Sequence, residues 1–159
     1  MLTLLVFLLV PAQAATPTQV ERGEALFFDA GNGCSSCHAL KGKGTAVGPD
    51  LTAISRLSPA GFAIAIRSTV TQYVQSTKMK SGGGAFPGIA SGDQVFDLSK
   101  MPPEARGAKA DIGSTSPNST WKHPPSARKY TPEQLADIIA YVKYAGTGMK
   151  TAVDPEDVK

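Results

Sequence analysis

The chain has 159 residues, 42% hydrophobic and 18% charged, with 16 Gly, 12 Pro, 2 Cys, 2 His and a net charge of +3. This length suits one domain with a modest core. The mild charge comes without a dense basic stripe or interleaved aromatics, which argues against nucleic acid and is compatible with docking to an acidic protein surface.

Residues 1–14 read as a signal peptide. Residues 2–10 are apolar apart from Thr3, Pro11 ends the run, and Ala12-Gln13-Ala14 matches the small-x-small cleavage pattern. The mature chain would then begin at Ala15, exported to the periplasm or secreted. The run is too short for a stable membrane span, so membrane association is expected only if this segment stays uncleaved. Thr18 and Glu21 form a capping box that opens a first helix reaching about Phe28. Residues 29–33 are a Gly/Asn turn.

Next comes Cys34-Ser35-Ser36-Cys37-His38. Two cysteines three apart, followed at once by histidine, are the attachment signature of a c-type haem. Both thiols lie on one turn and can form thioethers to the porphyrin edge, and the next residue presents an imidazole to the iron. Rival readings are weaker. A zinc site needs four ligands, commonly from two separated pairs, and this chain has one pair. A disulfide closing so small a loop would remove little chain entropy. A thioredoxin-like pair would need an alternating strand–helix pattern that the sequence lacks.

Residues 41–47 form a basic, Gly-rich loop, and Gly48-Pro49-Asp50-Leu51 a rigid turn. Ser58 and Pro59 open a second, strongly apolar helix that runs to about Val74. Seven Gly and seven Pro fall within residues 81–132, which forbids a long helix there. Short strands are predicted over residues 73–79, 85–89 and 94–98. Thr131, Pro132 and Gln134 start the last helix, Leu135, Ile138, Ile139, Val142 and Ala145 recur along one side, and Gly146 ends it.

Taken together, Gly23, Phe27, the Cys34–His38 motif, Gly48-Pro49-Asp50-Leu51 and Tyr141 resemble a class I (mitochondrial-type) cytochrome c domain, of the secreted single-haem bacterial kind. The resemblance implies an all-α fold of three main helices around one covalent haem c. A Gly/Pro-rich loop or small β-hairpin, residues 72–122, would be inserted before the last helix. The cytochrome domain would span residues 18–146, with 147–159 a flexible tail. Cys34 and Cys37 would carry the thioethers and His38 would be the proximal ligand. The Pro49 carbonyl would accept a hydrogen bond from that imidazole, fixing the ring and raising its basicity. Gly23 and Tyr141 match the positions where first and last helices cross; Tyr141 is counted among the cofactor-binding residues, as is Trp121, a haem-flanking or core aromatic.

The distal ligand is where the chain departs from the family. Met101-Pro102-Pro103 looks like the usual Met-Pro ligand but lies 30 residues before Thr131, too far for the usual connection. His123-Pro124-Pro125 lies eight residues before Thr131, where the family places its distal ligand. Spacing therefore favours His123 over Met101, and Met101 over Met79. A second imidazole would give a lower reduction potential than a thioether.

The resemblance implies an electron carrier rather than an enzyme, exchanging single electrons with redox protein partners. Lys41, Lys43, Lys78, Lys80, Lys122, Arg128 and Lys129 could ring the haem edge and steer acidic partners, or simply be solvated. Two alternatives stay open: a haem enzyme or gas-binding protein with an open distal site, and a cytochrome subunit of a larger respiratory or dehydrogenase complex. No separate acid–base constellation favours the enzyme.

Overall fold

The computed structural model describes residues 16–31, 33–68, 73–123 and 129–159. The signal segment, Arg128 and residues 69–72 of the second apolar run lie outside the described residues. Among those described, no helix is long and apolar enough to cross a membrane.

Helix α1 is Gln19–Phe27, opened by the capping box that Thr18 and Glu21 predict. The Thr18 hydroxyl accepts from the Glu21 amide at 3.3 Å, and the Glu21 carboxylate accepts from the Thr18 amide at 2.7 Å. A 3-10 turn, Cys34–Ser36, follows, then strands β1 (Ala39–Leu40) and β2 (Lys43–Gly44) pair as a short ribbon. Helix α2 is Pro59–Ser68, and its expected continuation to about Val74 runs through residues 69–72, which lie outside the described residues. After five strands, helix α3 is Pro132–Thr147, with the predicted Thr131–Gln134 capping box. Its left-handed cap is Gly148, not Gly146. Gly146 instead lets Ser55 approach, since a β-carbon there would collide with the Ser55 side chain.

The all-α expectation is corrected by the inserted region. Strands β3 (Gln75–Met79), β4 (Phe86–Ser91), β5 (Gln94–Asp97), β6 (Glu104–Ala108) and β7 (Ile112–Pro117) form one antiparallel sheet in the order β6-β5-β4-β3-β7. The physical cause is a two-residue period. Thr77 and Met79 of β3, Phe86 and Gly88 of β4, and Val95 and Asp97 of β5 point inward while their neighbours are more exposed. Met79, Phe86 and Val95, with Ile112 against them, make a small core of their own. Arg106 lies over the Phe86 ring at 5.0 Å and reaches the buried Asp97 carboxylate at 3.4 Å. Strands β6 and β7 are largely exposed and rich in Ala, Gly, Ser and Thr, so no hydrophobic alternation marks them in the sequence.

The main core joins α1, α2 and α3 through Phe27, Phe62, Leu135, Ile138, Ile139 and Val142. The α1–α3 crossing rests on Gly23, where a β-carbon would run into the Asp137 carbonyl and stand 2.9 Å from the Tyr141 β-carbon. Beside it Arg22 grips the buried Asp137 carboxylate with two hydrogen bonds of 2.8 Å. The expected free tail is also corrected. Residues 149–159 fold back, burying Val153 and Val158 in the core, and the Gln19 amide pairs with the Val153 backbone at 2.8 and 3.0 Å.

Candidate functional site

The 3-10 turn Cys34–Ser36 sets the two thiols and the imidazole in register. The amides of Cys37 and His38 both donate to the Cys34 carbonyl, at 3.1 and 2.9 Å, and the Ser36 hydroxyl donates to the Gly33 carbonyl at 2.8 Å. Cys34 and Cys37 are free thiols. Burial pushes the Cys34 thiol up to about 12, and burial also raises Cys37. Both therefore stay protonated at neutral pH.

The loop after β2 is zipped onto this turn. Thr45 N–H donates to the Ser35 carbonyl at 2.9 Å, and the amides of Val47 and Gly48 donate to the Cys37 carbonyl at 3.1 and 2.6 Å. This brings the Pro49 carbonyl to the His38 ring, whose Nδ1–H donates to it at 2.7 Å. The bond assigns the Nδ1–H tautomer, so Nε2 presents its lone pair away from the loop. Gly48 packs flat beneath the ring, and a β-carbon there would lie 2.6 Å from His38 Cε1 and 2.9 Å from Nδ1. Gly48→Ala is accordingly expected to tilt the imidazole and cost about 2 kcal/mol of stability, as overpacked sites do. The check is the denaturant midpoint together with the ferric optical spectrum, and both should move.

His123 meets His38 from the other side. Its Nε2 lies 3.3 Å from His38 Nε2, with ring centroids 5.6 Å apart and the rings at 73°. Burial, then the neighbouring His38, brings His123 down to about 4, and burial lowers His38 against the opposing Pro49 bond. Both imidazoles are therefore neutral at pH 7, the form that ligates a metal. His123 Nδ1 is buried and makes no hydrogen bond of good geometry among the described residues.

The other predicted residues fall elsewhere. Met101 sits in the β5–β6 turn and is 39% exposed. Met79 fills the core of the sheet. Tyr141 lies in the helix crossing, 5.4 Å from the Phe27 ring and 6.0 Å from Phe28. Trp121 is partly buried, edge-on to His123 with centroids 6.2 Å apart. Sequence reasoning missed the part played by Gly48, although its place next to Pro49 was a usable signal. It also missed Ser91 and Asn118, whose contacts depend on the sheet.

The donor set fits a thioether-bound haem. Two protonated thiols with no disulfide between them share one turn, and two neutral imidazoles face each other through Nε2. Among the described residues no group of three or more His, Cys, Asp or Glu could hold a metal ion by itself, whereas a porphyrin brings its own nitrogens and asks the protein only for axial ligands. When bound, the haem supplies an iron that cycles between ferric and ferrous.

These features define a covalent haem-binding protein of the c type. The cytochrome c family model matches residues 20–100, half of the chain, and the protein belongs to that family. It is thus a haem-binding electron-transfer protein carrying covalent haem c. The matched stretch holds the attachment motif, Pro49 and β3–β5, and stops before His123 and α3. A comparison with curated proteins gave no match.

Proposed function

We propose that this chain is an exported, periplasmic, single-haem cytochrome whose iron is held between His38 and His123 and which passes single electrons between protein partners. The observation that carries the reading is that the two imidazoles face each other head-on through their Nε2 atoms. Cys34 and Cys37 hold the thioethers, and Pro49 orients His38. With both axial positions filled by the chain, small substrates are kept off the iron and the haem edge is the electron port. Exposed Lys41, Lys43 and Lys122 flank the two axial segments and suit an acidic partner surface.

The test is the ferric optical spectrum of wild type, His123→Ala and Met101→Ala. Wild type and Met101→Ala are expected to share a low-spin spectrum without a thioether-to-iron charge-transfer band. His123→Ala should turn high-spin and bind carbon monoxide rapidly once reduced. A charge-transfer band that survives His123→Ala and vanishes in Met101→Ala would refute the assignment.

A further inference from the structure

We propose that the inserted sheet is a brace holding His123 on the haem axis, and that Trp121 is the positioning residue through which it acts. The inference rests on the reading of His123 as the distal ligand. Strand β7 ends at Pro117, and the chain reaches His123 six residues later. Asn118 bends that connection, its side-chain oxygen accepting from Thr120 N–H and Oγ1 at 3.1 Å each and from Trp121 N–H at 2.9 Å. The turned chain is then tied to the sheet, because the Trp121 indole N–H donates to the Leu98 carbonyl at 3.3 Å. Leu98 is itself anchored, its amide donating to the Pro87 carbonyl of β4 at 2.8 Å. The buried Asp97 stiffens the same turn by accepting from Ser99 N–H at 2.9 Å and Ser99 Oγ at 2.6 Å.

The opposite end of the sheet reaches the proximal side. At the end of β4, the Ser91 hydroxyl donates to the Ala46 carbonyl. Ala46 directly precedes Val47 and Gly48, which bond to Cys37 and back the His38 ring. One hydrogen-bonded sheet therefore touches the supports of both imidazoles. A connection of this length without such ties would leave His123 free to swing from the iron. The sheet removes that freedom by preorganising the ligand.

The experiment is carbon monoxide binding to the reduced, full-length holoprotein, where the slow step is release of the distal ligand. Trp121→Phe keeps an aromatic ring while removing the N–H donor and part of the ring volume. Its binding rate is expected to rise about fivefold over wild type, the size of one neutral hydrogen bond. If Trp121→Phe does not accumulate, Asn118→Ala, which removes the acceptor that bends the same turn, decides alone. A Trp121 that serves only as packing would lower the denaturation midpoint and leave the rate unchanged, and that result overturns the brace. His123→Ala separates the two claims. If it binds carbon monoxide no faster than wild type, the distal assignment itself fails. If it binds fast while Trp121→Phe keeps the wild-type rate, the brace alone fails.

Discussion

Gly23→Ala is expected to destabilise this protein by about 3 kcal/mol, the upper range for overpacking a tight interior. The sign is the informative part. On an exposed helix face the same exchange would stabilise by up to about 1 kcal/mol, because glycine is a poor helix former. At Gly23 the new methyl would meet backbone, the Asp137 carbonyl of α3, and no rotamer change can relieve that. Helices α1 and α3 must part, and the contacts of Phe27 with Tyr141 and the Arg22–Asp137 pair would loosen together. A denaturant titration of the ferric protein provides the check. A midpoint equal to or above that of wild type would show that the two helices do not cross at this residue.

Removing residues 153–159 is expected to cost about 4 kcal/mol, from two fully buried valines at roughly 2 kcal/mol each. By composition this segment is a polar tail, and its loss should then be neutral. In the fold, Val153 and Val158 close the core above Phe62 and α3, and Gln19 holds the Val153 backbone from both sides. Asp154 caps the final 3-10 turn by accepting from the Glu156 amide at 2.9 Å. Thermal unfolding of the truncated chain, followed by circular dichroism, separates the two outcomes. An unchanged midpoint would mean that the C-terminal segment does not contribute to the core.

What the sequence could disclose follows from how local each signal is. Covalent haem is legible because its two thiols and histidine sit within five consecutive residues. The caps at Thr18 and Thr131 are legible because a capping box spans four residues. Strands β3, β4 and β5 show through alternation and Gly-rich turns, such as Gly92-Asp93 between β4 and β5. Strands β6 and β7 do not, because their stability comes from pairing with β5 and β3 rather than from an apolar face of their own. Reading residues 72–122 as loop or hairpin therefore understated a five-stranded sheet, and the all-α class went with it. The docked tail was hidden for a related reason, since two valines among charged residues carry no periodicity.

The distal side illustrates the same limit. Spacing to the last helix singles out His123, yet nothing in the linear chain says what aims its ring. That depends on Asn118 reaching Trp121, on Trp121 reaching Leu98, and on Ser91 reaching Ala46, contacts that exist only once the sheet has formed. An insertion that looks like an interruption in the sequence thus reaches the segments that carry both histidines.

The central claim is that two imidazoles from this chain grip one iron. Its most direct test is pulsed electron paramagnetic resonance of the ferric, full-length protein grown with nitrogen-15 histidine. The account predicts a low-spin signal with hyperfine couplings to two histidine nitrogens, replaced in His123→Ala by a high-spin signal coupled to one. A wild-type signal coupled to a single histidine nitrogen would contradict it.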